Sequence, residues 1–198
     1  MTYILFNREM AMAYREGRKT MTRRLMKVQP PGDGYELARC VSTTGCDSNV
    51  DKLHWIKRDG LNILDSDDRY FACQYGYPGD QLVFGTTWAT LGNYDGLRPT
   101  EIGFGAPIWS YFNSDEKPEG FGKLRPGIIL PEFHRDEMPR ETLKIVRAEK
   151  VQYITDKDAI LEGIFETPRD AFSELWDEIY FKRGYGWESN PWVWVLGW

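Results

Sequence analysis

The stretch EGRKTMTRR, Glu16–Arg24, gathers four cationic residues into nine positions of a chain whose formal net charge is -5. Its glycine falls behind Arg8 to Glu16, a run of strong helix formers that Asn7 is suited to cap. Gly17 therefore stands where a left-handed helix terminator belongs. Before the helix, Tyr3-Ile4-Leu5-Phe6 has the apolar character of a short strand. After it, Arg18 to Leu25 reads as a β-strand or extended loop. A cationic run of this kind is ordinarily a solvated strand face. The acidic balance of the whole chain also argues against a long polyanion as its ligand, because phosphate neutralisation calls for a net basic surface. One small molecule, or a few nucleotides held locally, fits better.

Further along, Pro78-Gly79 suits the centre of a type II turn, and Gln81 to Phe84 begins a strand. Glu141 to Ile154 is strand-like. Thr155 then caps a short helix with Asp158 at its third position and Gly163 as its terminator. The segment TPRDAFSELWDEIY is the clearest helix: Thr167 as cap, Pro168 at the first position, and an apolar stripe of Phe172, Leu175, Trp176 and Ile179. The segment PWVWVLGW is apolar on both faces, so it should lie centrally in its sheet. Residues at about 28–72 and 92–139 are rich in Gly, Pro and turn residues and read as two insertions in a single domain of 198 residues. Few short helices among scattered strands give an α+β class with a small barrel or strongly bent sheet.

Composition sets the remaining limits. No run approaches the roughly 18 apolar residues of a membrane span, and MTYILFNREM lacks the charged start of a signal peptide. Three cysteines are an odd count for a secreted disulfide framework. These features describe a soluble, reduced, cytoplasmic protein with no membrane partner. Cys40 and Cys46, with His54 and Cys73, do not follow the usual zinc spacing, so no metal and no cofactor is assigned.

Gly17-x-Lys19-x-x-Thr22-x-Arg24 resembles the G-x-K-x-x-T-x-R signature of the ASCH (activating signal cointegrator homology) family, which belongs to the PUA-like group of small β-barrels. The segments ILFNREM, YPGDQL, RAEKVQYITDKDAILEGI and NPWVWVLGW are similar, in the same order, to ASCH proteins of phages and prophages. Such segments cover about half of the chain, and the likeness fades in the two insertions. The resemblance implies one ASCH domain over residues 1–198, located in the host cytoplasm if phage-encoded. It also implies a resemblance in activity, since the family includes an amidohydrolase that deacetylates N4-acetylcytidine. Its catalytic lysine and threonine map onto Lys19 and Thr22, and its catalytic glutamate onto Glu162.

The implied function is hydrolysis of N4-acylated cytidine or a similar modified nucleoside; the alternative is a non-catalytic PUA-like module that binds RNA or modified bases. Arg23, Arg24 and Trp88 are the candidate ligand-binding residues, Trp88 by stacking on a base. Its alternative is an ordinary core tryptophan. The partner expected is a small nucleoside or a short RNA. Lys19 can act as base only if its pKa falls; otherwise Glu162 takes the proton and Lys19 holds the oxyanion. In a regular strand Lys19 and Thr22 point to opposite faces, so the set needs a bulge or loop there. Thr86 stands where related phage proteins carry a glutamate, which points to altered activity or substrate preference.

Overall fold

The computed structural model describes residues 2–40, 52–67 and 69–198. They form a mixed α+β structure of several small sheets and few helices. The first sheet pairs β1 (Thr2–Leu5) in parallel with β6 (Gln81–Gly85), which runs antiparallel to β9 (Arg140–Thr142). The second places β11 (Trp192–Gly197) between β10 (Ile145–Lys150) and β2 (Met21–Leu25), both antiparallel to it. The third is a meander of β3 (Tyr35–Arg39), β4 (Leu53–Asp59) and β5 (Asn62–Ser66). A short pair, β7 (Trp88–Ala89) with β8 (Trp109–Ser110), completes the strands. Among the described residues no closed barrel joins these sheets. No described helix is long and apolar enough to cross a membrane.

The double-sided apolar pattern of the C-terminal segment is explained by its central place. Val193 and Val195 face one core with Met21, while Trp194 and Leu196 face another with Phe6 and Phe84. The second core is aromatic, with the Phe6 and Phe84 rings stacked at 4.7 Å. Over the first core lie α2 (Asp156–Leu161) and α3 (Pro168–Tyr180). Burial on α3 follows Phe172, Trp176 and Tyr180, each four residues from the last. The expected stripe ended on Ile179 instead, which is 42% exposed. Tyr180 takes its place because its ring packs on Trp176 at 4.3 Å. Thr167 precedes α3 in a left-handed conformation (φ 40°) and makes no side-chain cap bond, contrary to the expected N-cap. Its carbonyl still accepts the first helical bond, from Ala171.

The two segments read as insertions differ from each other. The first contributes the meander, whose Trp55 is fully buried against Trp192 at 5.0 Å. The second is built mostly of 3-10 turns around Trp88, Ile102 and Leu130.

Helix α1 (Arg8–Arg15) begins as its sequence implies, with Asn7 Oδ1 accepting from the Met10 amide at 2.8 Å. At its end Gly17 adopts φ 72°, and the amides of Arg18 and Lys19 both donate to the Ala13 carbonyl. This reversal turns Lys19 inward two residues before β2 starts. Helix α2 is capped by Thr155, whose Oγ1 accepts from the Asp158 amide, and ends on Glu162 followed by Gly163 at φ 95°. A Cβ on Gly163 would lie 2.8 Å from the Ala13 Cβ and 3.4 Å from the Lys19 Cβ. Only glycine allows α2, α1 and Lys19 to meet so closely.

Candidate functional site

Lys19 and Glu162, separated by 143 positions, meet at 2.8 Å through Nζ and Oε2. Both side chains are closed to solvent, at 0% and 3% exposure. Nζ also donates to the carbonyls of Met21 and Glu162, each at 2.9 Å, so all three ammonium protons are bound. Lys19 stands in the loop before β2, so strand alternation does not relate it to Thr22, which lines a small cavity that Lys19 does not. Burial holds the Lys19 pKa below its ordinary 10.5, with the neighbouring Arg24 and Arg23 adding to the fall; Glu162 pulls the other way but less strongly.

Thr22 is also buried, and makes no side-chain hydrogen bond among the described residues. With Glu162, Arg23, Arg24, Trp176 and Tyr180 it lines a cavity of about 20 Å³ between β2 and α3. That is room for one water. Two polar atoms of its lining residues, Glu162 Oε1 and Arg24 Nε, are buried without a hydrogen-bond partner. A wider cleft of about 250 Å³ lies beside it between α1 and α3 and shares Met10, Leu175 and Glu162 with the small cavity.

The cations of the opening stretch are largely spent on the chain itself. Arg23 binds Glu149 Oε1 at 2.6 Å and Asp158 Oδ2 at 2.7 Å, and its Nη1 lies 3.6 Å from Glu162 Oε1. Arg147 closes the network on Glu149 and Asp158. Arg24 donates to the Leu5 carbonyl at 2.7 Å, and Arg18 pairs with Glu16. Three carboxylates thus balance Lys19, Arg23 and Arg147.

Trp88 does not join this group. It is fully buried in the core of the second insertion, its Nε1 donates to the Pro126 carbonyl at 3.1 Å, and Arg125 lies over its ring. With no exposed face it cannot stack on a ligand as it stands, and the core reading describes it. Thr86 is buried as well, with Oγ1 unpartnered. Of the sulfur and imidazole candidates, Cys46 lies outside the described residues. Among those described, no group of three or more His, Cys, Asp or Glu side chains is placed to hold a metal. Burial pushes the Cys73 thiol up to about 11, and His54 stacks on Tyr70.

Models of known protein families, curated proteins and solved structures yield no match to this chain.

Glu149, Arg147 and the charge role of Asp158 were not legible beforehand. Asp158 holds the third position of α2, its amide donating to the cap Thr155 Oγ1, yet its carboxylate turns to Arg23 across 135 positions. The available signal was the alternation of Arg147 and Glu149 along β10, which puts both charges on the face that carries Arg23.

The lowered Lys19 pKa has a consequence for stability. Between the folded value and 10.5 the unfolded chain binds more protons, so this group makes stability rise with pH in that window. Unfolding free energies from urea titrations, followed as the pH rises toward 10.5, should climb more steeply for the native chain than for Lys19→Met/Glu162→Leu, by up to about 1.4 kcal/mol per pH unit. Parallel profiles for the two proteins would contradict the assignment.

Proposed function

We propose that this chain is an amidohydrolase of the ASCH type, on a PUA-like architecture, acting on N4-acylated cytidine or a similar modified nucleoside. The observation that carries the reading is the meeting of Lys19 with Glu162, both side chains buried. Thr22 shares the small cavity with Glu162. The bonding pattern favours one division of labour. Lys19 has no free lone pair while its three protons are bound, whereas Glu162 Oε1 accepts no hydrogen bond. Glu162 is then the base and Lys19 the cation that steadies negative charge.

In this scheme Thr22 Oγ1 attacks the acyl carbonyl and its proton passes to Glu162. Lys19 steadies the tetrahedral oxyanion by turning to it one of the protons now given to the Met21 and Glu162 carbonyls. Collapse breaks the C–N bond, and Glu162 returns the proton to the departing exocyclic nitrogen. Water, deprotonated by the same carboxylate, then attacks the acyl carbonyl, and Glu162 returns that proton to the departing Thr22 Oγ1. The cleft between α1 and α3 gives the acyl group its approach.

A non-catalytic reader of RNA or modified bases is the competing account, favoured by the one-water size of the cavity. Incubation with N4-acetylcytidine, following cytidine release, separates the two. Turnover is expected, with Lys19→Ala, Thr22→Ala and Glu162→Ala each slower by about 10²-fold or more. No turnover by the intact protein, together with salt-sensitive RNA binding, would establish the reader instead. Near-native rates in all three variants would refute the residue assignment.

A further inference from the structure

The second sheet ends on β10, which pairs with β11 on one side and, among the described residues, with no strand on the other. Hydrogen-bonded pairs of an antiparallel ladder recur at every second residue. The Val151 amide donates to the Pro191 carbonyl at 2.9 Å, so the bonds to β11 come from Glu149, Arg147 and Ile145. The N–H and C=O groups of Val146 and Ala148 therefore point away from β11. They make no hydrogen bond among the described residues, although both residues are half-buried.

This open edge borders a cleft of about 390 Å³, and Val146, Arg147 and Ala148 all line it. Consecutive strand side chains point to opposite faces, so three in a row mean that the cleft runs along the edge of β10 and not over one face. Its other walls are mostly apolar, with Leu37 and Leu53 from the meander, Cys73, Tyr77 and Trp194. Trp194 stands opposite Ala148 in the register, so the two share a face. No carboxylate lines the cleft, whereas Arg39 and Arg147 do. Arg147 is held by Glu149 and Asp158, so Arg39, at an exposed position, sets the charge preference.

We infer that this edge is a docking site for an extended, acidic peptide segment of another protein, added to the sheet as a strand beside β10. A helix spends its backbone groups on itself and would leave those of Val146 and Ala148 unpaired. An added strand pairs all four and lays every second side chain against Trp194 and the meander. Main-chain bonds supply affinity, and the apolar walls select leucine-sized residues at alternate positions. Acidic flanks suit Arg39.

The test uses the full chain and no nucleoside, so it stands apart from the amidohydrolase reading. In the free chain, amide hydrogen exchange should be fast at Val146 and Ala148 and slow at Arg147 and Glu149. Fluorescein-labelled Glu-Leu-Thr-Leu-Glu should bind, read by anisotropy, and should slow exchange at Val146 and Ala148. N-methylation of two alternate amides of the peptide, those facing β10, should weaken binding about 10-fold or more, as two lost hydrogen bonds would. Methylation of the other alternate set should leave it nearly unchanged. Tyr77→Ala, at an exposed position where folding is not in question, should weaken it several-fold, and lysine in place of the peptide's glutamates should weaken it too. Slow exchange at Val146 and Ala148 in the free chain, as a second copy on this edge would cause, overturns the inference. So would absence of peptide binding, or equal loss from both methylated sets.

Discussion

Glu162→Leu is expected to lower stability by about 3–5 kcal/mol, because it strands the Lys19 ammonium where no water reaches it. The two remaining carbonyl partners bond the ammonium but carry no opposing charge. Adding Lys19→Met should recover most of the loss. An apolar pair of similar volume removes both desolvation costs, and buried ion pairs replaced in this way are often neutral in stability. The informative quantity is therefore the difference between single and double variants, read from urea midpoints at neutral pH. Equal destabilisation in both would mean that the pair contributes through packing and not through charge. A stable double variant also separates folding from function, since it keeps the fold and lacks two of the three proposed catalytic groups.

Trp176→Ala should cost a similar amount, about 3–5 kcal/mol, as large-to-small changes at buried aromatics do. Trp176 is 3% exposed, stacks near Phe172 at 6.0 Å and Tyr180 at 4.3 Å, and donates from Nε1 to the Tyr185 carbonyl at 2.8 Å. Truncation leaves that carbonyl without its side-chain donor as well as opening a void. Because Trp176 also lines the small cavity over Thr22 and Glu162, its loss enlarges the proposed reaction space. Trp176→Phe should restore the ring contacts and recover much of the stability. A loss below about 1 kcal/mol for the alanine variant would show that α3 is not held by this core.

The parts of the fold legible in the sequence are those set by local rules. Asn7, Gly17, Thr155 and Gly163 act at helix ends through bonds spanning three to five residues, and each behaves as its type requires. The C-terminal strand was legible because a two-faced apolar pattern has few alternatives to a central position. The meander over residues 35–66 was not. Its strands carry mixed polar sequence, and β5 is exposed throughout, so period-two burial leaves little trace. The exchange of Ile179 for Tyr180 was hidden for another reason: hydropathy ranks isoleucine higher, while ring packing on Trp176 decides the buried face.

The candidate site divides in the same way. Lys19, Thr22 and Glu162 all rest on resemblance, the first two through a short motif and Glu162 through a segment where nothing in its own helix marks it. Arg23 was expected on ligand, but its partners Glu149 and Asp158 lie 126 and 135 positions away. Charge pairing over such separations follows from sheet register, which the sequence does not display. The concentrated charge of Glu16–Arg24 is thus chiefly an internal affair, with Lys19 at its centre.

The most direct measurement is cytidine release from N4-acetylcytidine by the native chain and by Thr22→Val. Valine keeps the shape of threonine and removes only a hydroxyl that makes no bond to other described residues, so the variant should fold like the native protein. The account predicts turnover by the native chain and a loss of about 10²-fold or more in Thr22→Val. Release at the native rate by a folded Thr22→Val, or no release by the native chain, would contradict it.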